Sequence, residues 1–591
     1  MKLSYGFKKL CLVFLMSMLI FPLAGYSEND TKQSSQLREY PIAFDVFTTL
    51  QRTVVPAPKP SVPIHLYEIS KYNQYGYGNW KFGGPLKSVT RTDIMPVLYD
   101  YSAVTKKAKL LNFFTMSDIH IADKESPSQL IYIQRLHETL PVSVALYSPI
   151  MLYTTHVLDA AVRTINALHK KDPFDFGISL GDTCNNTQYN ELRWYIDVLD
   201  GKIITPSSGA HIGANTIDYQ KPYKAAGLDK TIPWYQTIGN HDHFWIGSLI
   251  INDFLRQSYI SDTVLTAGDV LTDPTKINSP DYYMGVLDGS TAYGDIKYAG
   301  PVADFKTPPK IIPYPDRRSL SRTEWMKEFF TTSTNPVGHG FNMAGANKGF
   351  ACYSFVPKPN IPIKVIVLDD TQKEDDGSAD VHGHGFLDQA RWDWLKKELA
   401  DGDAAGQLMI IAAHVPINVE VAKSEVGWWL DPQNAVTLPN LIAELQSHPN
   451  LIMWISGHRH INTVKAFISP DPVNAPEKGF WQVETSSLRD YPQQFRVFEI
   501  YLNSDYTISI VTTDVDPAVK DGTPAAISRK YAIAAEQIVG ADKFAYNYNP
   551  TNDPTIKPMP TGSYNAELIK QLSPEMQAKM HNYVTQYARK N

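Results

Sequence analysis

Residues Thr231 to Asp242, Thr-Ile-Pro-Trp-Tyr-Gln-Thr-Ile-Gly-Asn-His-Asp, constrain the fold more than any other stretch of the chain. Ile232 to Ile238 reads as a buried strand that Gly239 ends in a tight turn. Asn240, His241 and Asp242 then stand at the strand's C-terminal end, where open α/β sheets carry their ligands. Four further clusters follow apolar runs in the same way: Asp118-Ile-His120, Gly181-Asp182, His414 and Gly457-His458-Arg459-His460. Strand-like and helical spacings alternate between them, which predicts right-handed βαβ crossovers and a largely parallel sheet in an α/β fold.

The 591 residues exceed a usual single domain. Residues 1–27 read as a Sec signal peptide, because Lys2, Lys8 and Lys9 precede the apolar run Leu10 to Ala24 and Gly25-Tyr26-Ser27 supplies small residues around a cleavage point. That run is short for a spanning helix of roughly 20 residues, the alternative being an uncleaved anchor. Tyr26 stands where a lipid-anchored chain would have Cys, so a periplasmic or secreted protein is expected. Cleavage would remove three lysines and no acids, taking the formal charge from −6 to −9. An acidic chain without a basic stripe excludes nucleic acid from the expected partners, and the sequence leaves the oligomeric state undetermined. Of the three cysteines, Cys184 and Cys352 would remain in an oxidising compartment, as one disulfide or as inert thiols. Cys184 as a thiolate metal ligand is the less favoured alternative.

Residues 28–107 read as a linker and a β-rich extension, 108–516 as the main domain, and 517–591 as a mostly helical C-terminal extension. Within the main domain, strands are expected at Leu110 to Met116, Phe174 to Leu180, Phe350 to Phe355, Ile361 to Leu368, Leu408 to Ala412 and Leu451 to Ile455. Helical spacing covers Val142 to Lys171, stopped by Asp172-Pro173, then Gln188 to Asp200, Leu387 to Leu399 with Trp392 and Leu395 inward, and Pro439 to Leu445. Phe480 to Thr513 reads as consecutive antiparallel strands. The insertion 243–348 has no clean period beyond a short helix at Arg322 to Phe330 and suits a lid or substrate wall. Asp375, Asp376 and Asp380 on the acidic loop from Asp370 to His384 suggest calcium, with a solvated loop as the simpler reading.

The strand-end clusters collect Asp118, His120, Asp182, Asn240, His414, His458 and His460. Imidazole and carboxylate without thiolate suit Zn²⁺, Mn²⁺ or Fe²⁺ better than Ca²⁺ or Mg²⁺. Seven such groups exceed the needs of one ion and match two that share a carboxylate, roughly 3.5–4 Å apart in two-metal hydrolases. A lone strand-end histidine is more often structural than a ligand; five ordered clusters reverse that expectation.

In this order the five blocks resemble the calcineurin-like metallophosphoesterase superfamily: Asp-x-His, Gly-Asp, Gly-Asn-His-Asp/Glu, a lone His and Gly-His-x-His. The resemblance spans about residues 110 to 500. Asp182-Thr-Cys-Asn-Asn, Tyr189-Asn-Glu-Leu-Arg-Trp and Glu484-Thr-Ser-Ser-Leu-Arg are similar to an exported bacterial subgroup whose substrate they do not identify. The superfamily resemblance implies a four-layer αββα sandwich with two mixed sheets and a binuclear metal centre of Mn, Fe or Zn. It implies one metal on Asp118, His120, Asp182 and His460, a second on Asp182, Asn240, His414 and His458, and a bridging hydroxide as nucleophile. His241 would protonate the leaving oxygen or stabilise developing charge, with Asp242 fixing its tautomer. Cys184-Asn185 stands where a purple acid phosphatase has its tyrosine ligand, so a ferric–tyrosinate site is not implied.

Arg459, Asn185 and Asn186 are candidates to touch phosphate, and His243 and His384 are weaker ones. Trp428-Trp429 suits either a stacking platform or ordinary packing. The chain is thus expected to be an exported phosphatase or phosphodiesterase, with a catalytically silent metal-bound binding or envelope-structural protein as the alternative. An intact His241, which a purely structural site does not need, favours the enzyme.

Overall fold

In this computed structural model the described residues are 37–140, 144–375, 382–417, 433–539 and 562–588. All that follows concerns the unit Arg38–Asn591. Two large sheets draw on thirteen strands. In chain order these are β1 (Val89–Arg91), β2 (Lys106–Met116), β3 (Phe176–Ser179), β4 (Trp234–Gln236), β5 (Tyr353–Phe355), β6 (Ile363–Val367), β7 (Leu408–Ala412), β8 (Leu451–Ser456), β9 (Thr463–Phe467), β10 (Phe480–Glu484), β11 (Phe495–Asn503), β12 (Ile508–Val515) and β13 (Ala566–Lys570). The first sheet runs β1-β13-β12-β11-β2-β3-β4 and the second β5-β6-β7-β8-β10-β9. Both are mixed. β2, β3 and β4 are mutually parallel, as are β6, β7, β8 and β10, while β11 runs antiparallel to β2 and β12 antiparallel to β11.

The period of two along the second sheet explains how the layers stack. Ile363, Val365 and Val367 of β6 and Leu408, Ile410 and Ala412 of β7 join a core shared with Phe113, Ile178 and Phe498 of the first sheet. The intervening Ile366, Met409 and Ile411 join a separate core with Leu395 and Leu399 of helix Gln389–Ala404 and Leu441 and Leu445 of helix Leu438–Ser447. One face of each strand therefore meets the other sheet and the other face meets helices. The architecture is the expected α/β sandwich with two mixed sheets.

Two sequence expectations change, and the open choice for the cysteines falls to inert thiols. Phe480 to Thr513 does not form one antiparallel run. β10 enters the second sheet parallel to β8, whereas β11 and β12 belong to the first. Alternation marks a strand but carries no information about which sheet receives it. The helix expected from Val142 begins at Thr154 and is preceded by a 3₁₀ turn, Pro149–Leu152, because the Pro149 ring cannot sit inside a helix. Cys184 and Cys352 are both free and buried, in different hydrophobic clusters. The insertion holds a small sheet of Thr266–Ala267, Tyr282–Asp288 and Asp295–Pro301, invisible to the periodicity, and the helix Arg322–Glu328 starts on a Ser321/Glu324 capping box. Among the described residues no helix is long and apolar enough to cross a membrane; the leader expected at residues 1–27 lies outside them.

Candidate metal centre

All five clusters leave the C-terminal ends of parallel strands. Asp118 and His120 follow β2, Asp182 follows β3, and Asn240 to Asp242 follow β4. His414 follows β7, and His458 and His460 follow β8. Register brings these ends level, since Met116 pairs with Ser179 and Ser179 with Gln236. Asp118, His120, Asp182, Asn240, His241, Asp242 and His414 are buried, and His458 and His460 half-buried.

The backbone there is strained in a consistent way. Asp118, His120, Asp182, His458 and His460 take left-handed φ of 51°, 46°, 53°, 78° and 62°. Each such conformation costs a non-glycine residue about 1–3 kcal/mol and persists only where the surroundings enforce it. Cross-loop hydrogen bonds enforce it here: Asp118 N to Gly181 O (3.1 Å), His120 N to Asp182 O (2.9 Å) and Gly457 N to His414 O (3.0 Å). Two glycines are required by close approach. A Cβ on Gly239 would stand 2.2 Å from Asp182 Oδ1, and one on Gly457 would stand 1.7 Å from Ser117 Oγ.

Three overlapping groups of metal-ligating atoms are the only ones among the described residues: Asp118–His120–His460, His120–Asp182–His241 and Asp182–His414–His458. Asp182 Oδ2 lies between the outer two, 3.7 Å from His120 Nε2 and 3.3 Å from His414 Nε2. His460 Nε2 is 3.4 Å from Asp118 Oδ1 and 3.1 Å from His120 Nε2. Asn240 Oδ1 is 2.8 Å from His414 Nε2 and 3.1 Å from His458 Nδ1.

Outer partners decide which atoms point inward. His414 Nδ1 donates to Leu180 O at 2.8 Å and His460 Nδ1 to Asp490 Oδ2 at 2.5 Å. In the neutral ring each Nε2 is then a lone pair. Asn240 Nδ2 donates to Gly247 O, which turns its Oδ1 inward as well. Lone pairs of His414, Asn240 and Asp182 therefore converge at 2.8–3.3 Å, as do those of His460 and Asp118 at 3.4 Å, an arrangement that only a cation makes favourable. Without a metal, a proton takes that role. Burial pushes His414 down, but Asp182 outweighs it and lifts the ring to about 10. Burial likewise opposes His460, and Asp118 with Asp490 raises it to about 10. His120 and His458 fall well below the ordinary range through burial and neighbouring imidazoles. Asp182, pushed up by burial, is brought well below the ordinary carboxylate range by His414 and His241. The donor set fits two divalent cations sharing Asp182.

His241 and Asp242 are placed differently from the family-based expectation. The tautomer of His241 is set by the main-chain carbonyl of Asn185, which accepts from Nδ1 at 2.7 Å, and not by Asp242. Asp242 instead accepts from the N–H groups of Gly239, Asp182, Thr183 and Cys184 and from Thr183 Oγ1. It ties the turn after β4 to the turn after β3 and so holds Asp182 in its strained conformation. The ring of His241 packs edge-on to His120, with centroids 4.5 Å apart.

The candidate phosphate contacts are committed elsewhere. Arg459 pairs with Glu484, Asn185 Oδ1 accepts from Arg489, and Asn186 Oδ1 accepts from Ile246 N and Tyr259 Oη. His243 is buried against Thr371 and Arg322. Asp375 is an exposed partner of Lys373; Asp376, Asp380, Trp428 and Trp429 lie outside the described residues. Sequence inspection missed Asp490 and Asp370, whose carboxylate accepts from His414 N and Val415 N. Asp490 follows Glu484-Thr-Ser-Ser-Leu-Arg489 directly, and that motif was the available signal. A separate cavity of about 450 Å³, lined by Glu125, Ile212, Leu287, Ile312 and Arg317 among others, includes none of the candidate ligands.

Comparison with known protein families and with curated sequences finds no match. Solved structures similar to the chain include a dimetal phosphatase from Danio rerio (12% identity, TM-score 0.35, 70% of this chain and 100% of that one). They also include the sulfate thiohydrolase SoxB of Thermus thermophilus (12%, 0.26, 76% and 63%) and PhoD (9%, 0.26, 78% and 81%).

Proposed function

We propose that the protein is an exported, metal-dependent phosphoric ester hydrolase. The observation that supports this is the convergence of two sets of donor atoms on one shared carboxylate, Asp182, at distances that suit bound cations. Asp118, His120 and His460 would hold one divalent ion and Asn240, His414 and His458 the other, with Asp182 common to both. When bound, two such ions lower the pKa of water and offset charge on a phosphoryl group.

The remaining roles belong to the chain itself. The Asn185 carbonyl holds the Nδ1 proton of His241, so Nε2 is the atom that would take a second proton from water and pass it to the leaving oxygen. Asp242 clamps the two turns that carry Asp182 and Asn240. Asp490 and the Leu180 carbonyl orient His460 and His414. The substrate is a phosphomonoester or a phosphodiester. The test is turnover of p-nitrophenyl phosphate and bis-p-nitrophenyl phosphate in parallel by the chain reconstituted with Mn²⁺, Zn²⁺ or Fe²⁺, with metal content measured alongside. Metal-dependent hydrolysis of either ester is the expected result, and the preferred ester assigns the class. Two bound metals without hydrolysis of either would refute the proposal.

A further inference from the structure

We infer that Arg489 is a positioning residue for His241, acting through Asn185; the inference rests on the hydrolase proposal above. Arg489 is 1% exposed, five residues beyond the end of β10. A buried arginine beside a phosphate centre would ordinarily be taken for a bidentate phosphate clamp. Its hydrogen bonds argue against that. Nη1 donates to Asn185 Oδ1 at 3.0 Å and Nη2 to Val144 O at 3.1 Å, with Ala145 O 3.4 Å from each. Both terminal nitrogens are turned to protein oxygens. Nε alone is unpartnered, and one N–H cannot make the paired contacts of a clamp.

Asn185 is where that guanidinium meets His241. The side chain of Asn185 receives Arg489, its N–H donates to Ile121 O at 2.9 Å, and its carbonyl accepts the Nδ1 proton of His241 at 2.7 Å. The amide Nδ2 is only 3.5 Å from Gln129 Oε1, so Arg489 is the stronger side-chain anchor. The peptide that sets the tautomer and tilt of the His241 ring is thus tied to a buried, multiply bonded cation 304 residues away in sequence. The next residue, Asp490, holds His460. One short segment after β10 therefore supports both a candidate metal ligand and the candidate proton carrier. Misplacing a reacting group by about 1 Å costs on the order of 10²-fold in rate, which sets the scale of the effect.

The test uses Arg489→Lys, Arg489→Met and Asn185→Ala in the full chain, with two metals verified in each. Phenyl phosphate needs its leaving oxygen protonated, whereas p-nitrophenolate departs without a proton. The expected outcome is a fall in kcat of about 10–100-fold on phenyl phosphate, under about threefold on p-nitrophenyl phosphate, and little change in KM. In a His241→Ala background the same substitutions should cost nothing further. A raised KM with equal losses on both esters, or losses that multiply with His241→Ala, would assign Arg489 to substrate binding and overturn the inference. A second readout needs no turnover: in ¹⁵N-histidine-labelled protein the His241 Nδ1–H signal, identified by its loss in His241→Ala, should shift toward a mixed tautomer in each variant. An unchanged signal overturns the inference. If the parent chain hydrolyses neither of these esters nor bis-p-nitrophenyl phosphate, the hydrolase proposal has failed and the tautomer signal alone decides. If Arg489→Met does not fold, Asn185→Ala carries the same test.

Discussion

His460 and His414 both leave parallel strands of the second sheet, yet their outer nitrogens are held in opposite ways. His460, with 23% of its side chain exposed, donates to the Asp490 carboxylate, while wholly buried His414 donates to the main-chain carbonyl of Leu180. A carboxylate makes its imidazole a stronger ligand but is itself titratable and replaceable. A carbonyl is neither. Burial pushes Asp490 up, and Arg489 with His460 brings it below the ordinary carboxylate range, so it stays charged near neutrality. Under the proposed assignment, the half of the centre containing Asp118, His120 and His460 would therefore be the adjustable one, and the half containing Asn240, His414 and His458 the inert one.

Substituting the residue both halves share should erase the contrast. Asp182→Asn is expected to lower the occupancy of both metals together and to cut turnover more than about 100-fold, beyond the 10–100-fold typical of losing an outer partner. Elemental analysis that found one full site would refute the bridging assignment. Next in size, His241→Ala should keep both metals and lower turnover of phenyl phosphate about 10²–10⁴-fold. A variant that matched the parent rate would remove His241 from the chemistry.

Asp490→Asn sharpens the comparison. It should weaken one metal about 10–100-fold and leave the other unchanged, seen as one ion released early in a chelator titration. Simultaneous release of both would mean that the halves are not independent.

The smallest effect concerns the metal-free chain. His460 and His414 have folded-state pKa values raised from 6.5 to about 10, so each protonated ring stabilises the fold fully below about 6.5. That stabilisation is lost as pH rises through about 10. The thermal midpoint of the metal-free protein should fall by a few degrees across this window, less steeply in Asp490→Asn. The metal-loaded protein should lack the trend, because bound metal needs the unprotonated rings. Equal slopes with and without metal would contradict the assignment of these rings as ligands.

The legible features were short-range ones. An apolar run that ends in metal-ligating side chains, in three of five cases through a glycine turn, marks the end of a parallel strand, and these five marks carry Asp118, His120, Asp182, Asn240, His414, His458 and His460. The same local logic mistook the role of Asp242. Its place beside His241 suggested a partner for that ring, but the turn after β4 directs its carboxylate to four backbone N–H groups and the Thr183 hydroxyl. Strand periodicity likewise identified Phe480–Glu484 without saying that it leaves the first sheet for the second.

By itself the sequence marked the strand ends, the donor types and an α/β fold, because periodicity, turns and ligand types are encoded within a few adjacent residues; the two-sheet sandwich was implied only by the family resemblance. Only the tertiary structure decided which atoms of those donors face inward. Leu180 reaches His414 across 234 residues and Arg489 reaches Asn185 across 304, and hydrogen bonds over such separations leave no local pattern to read.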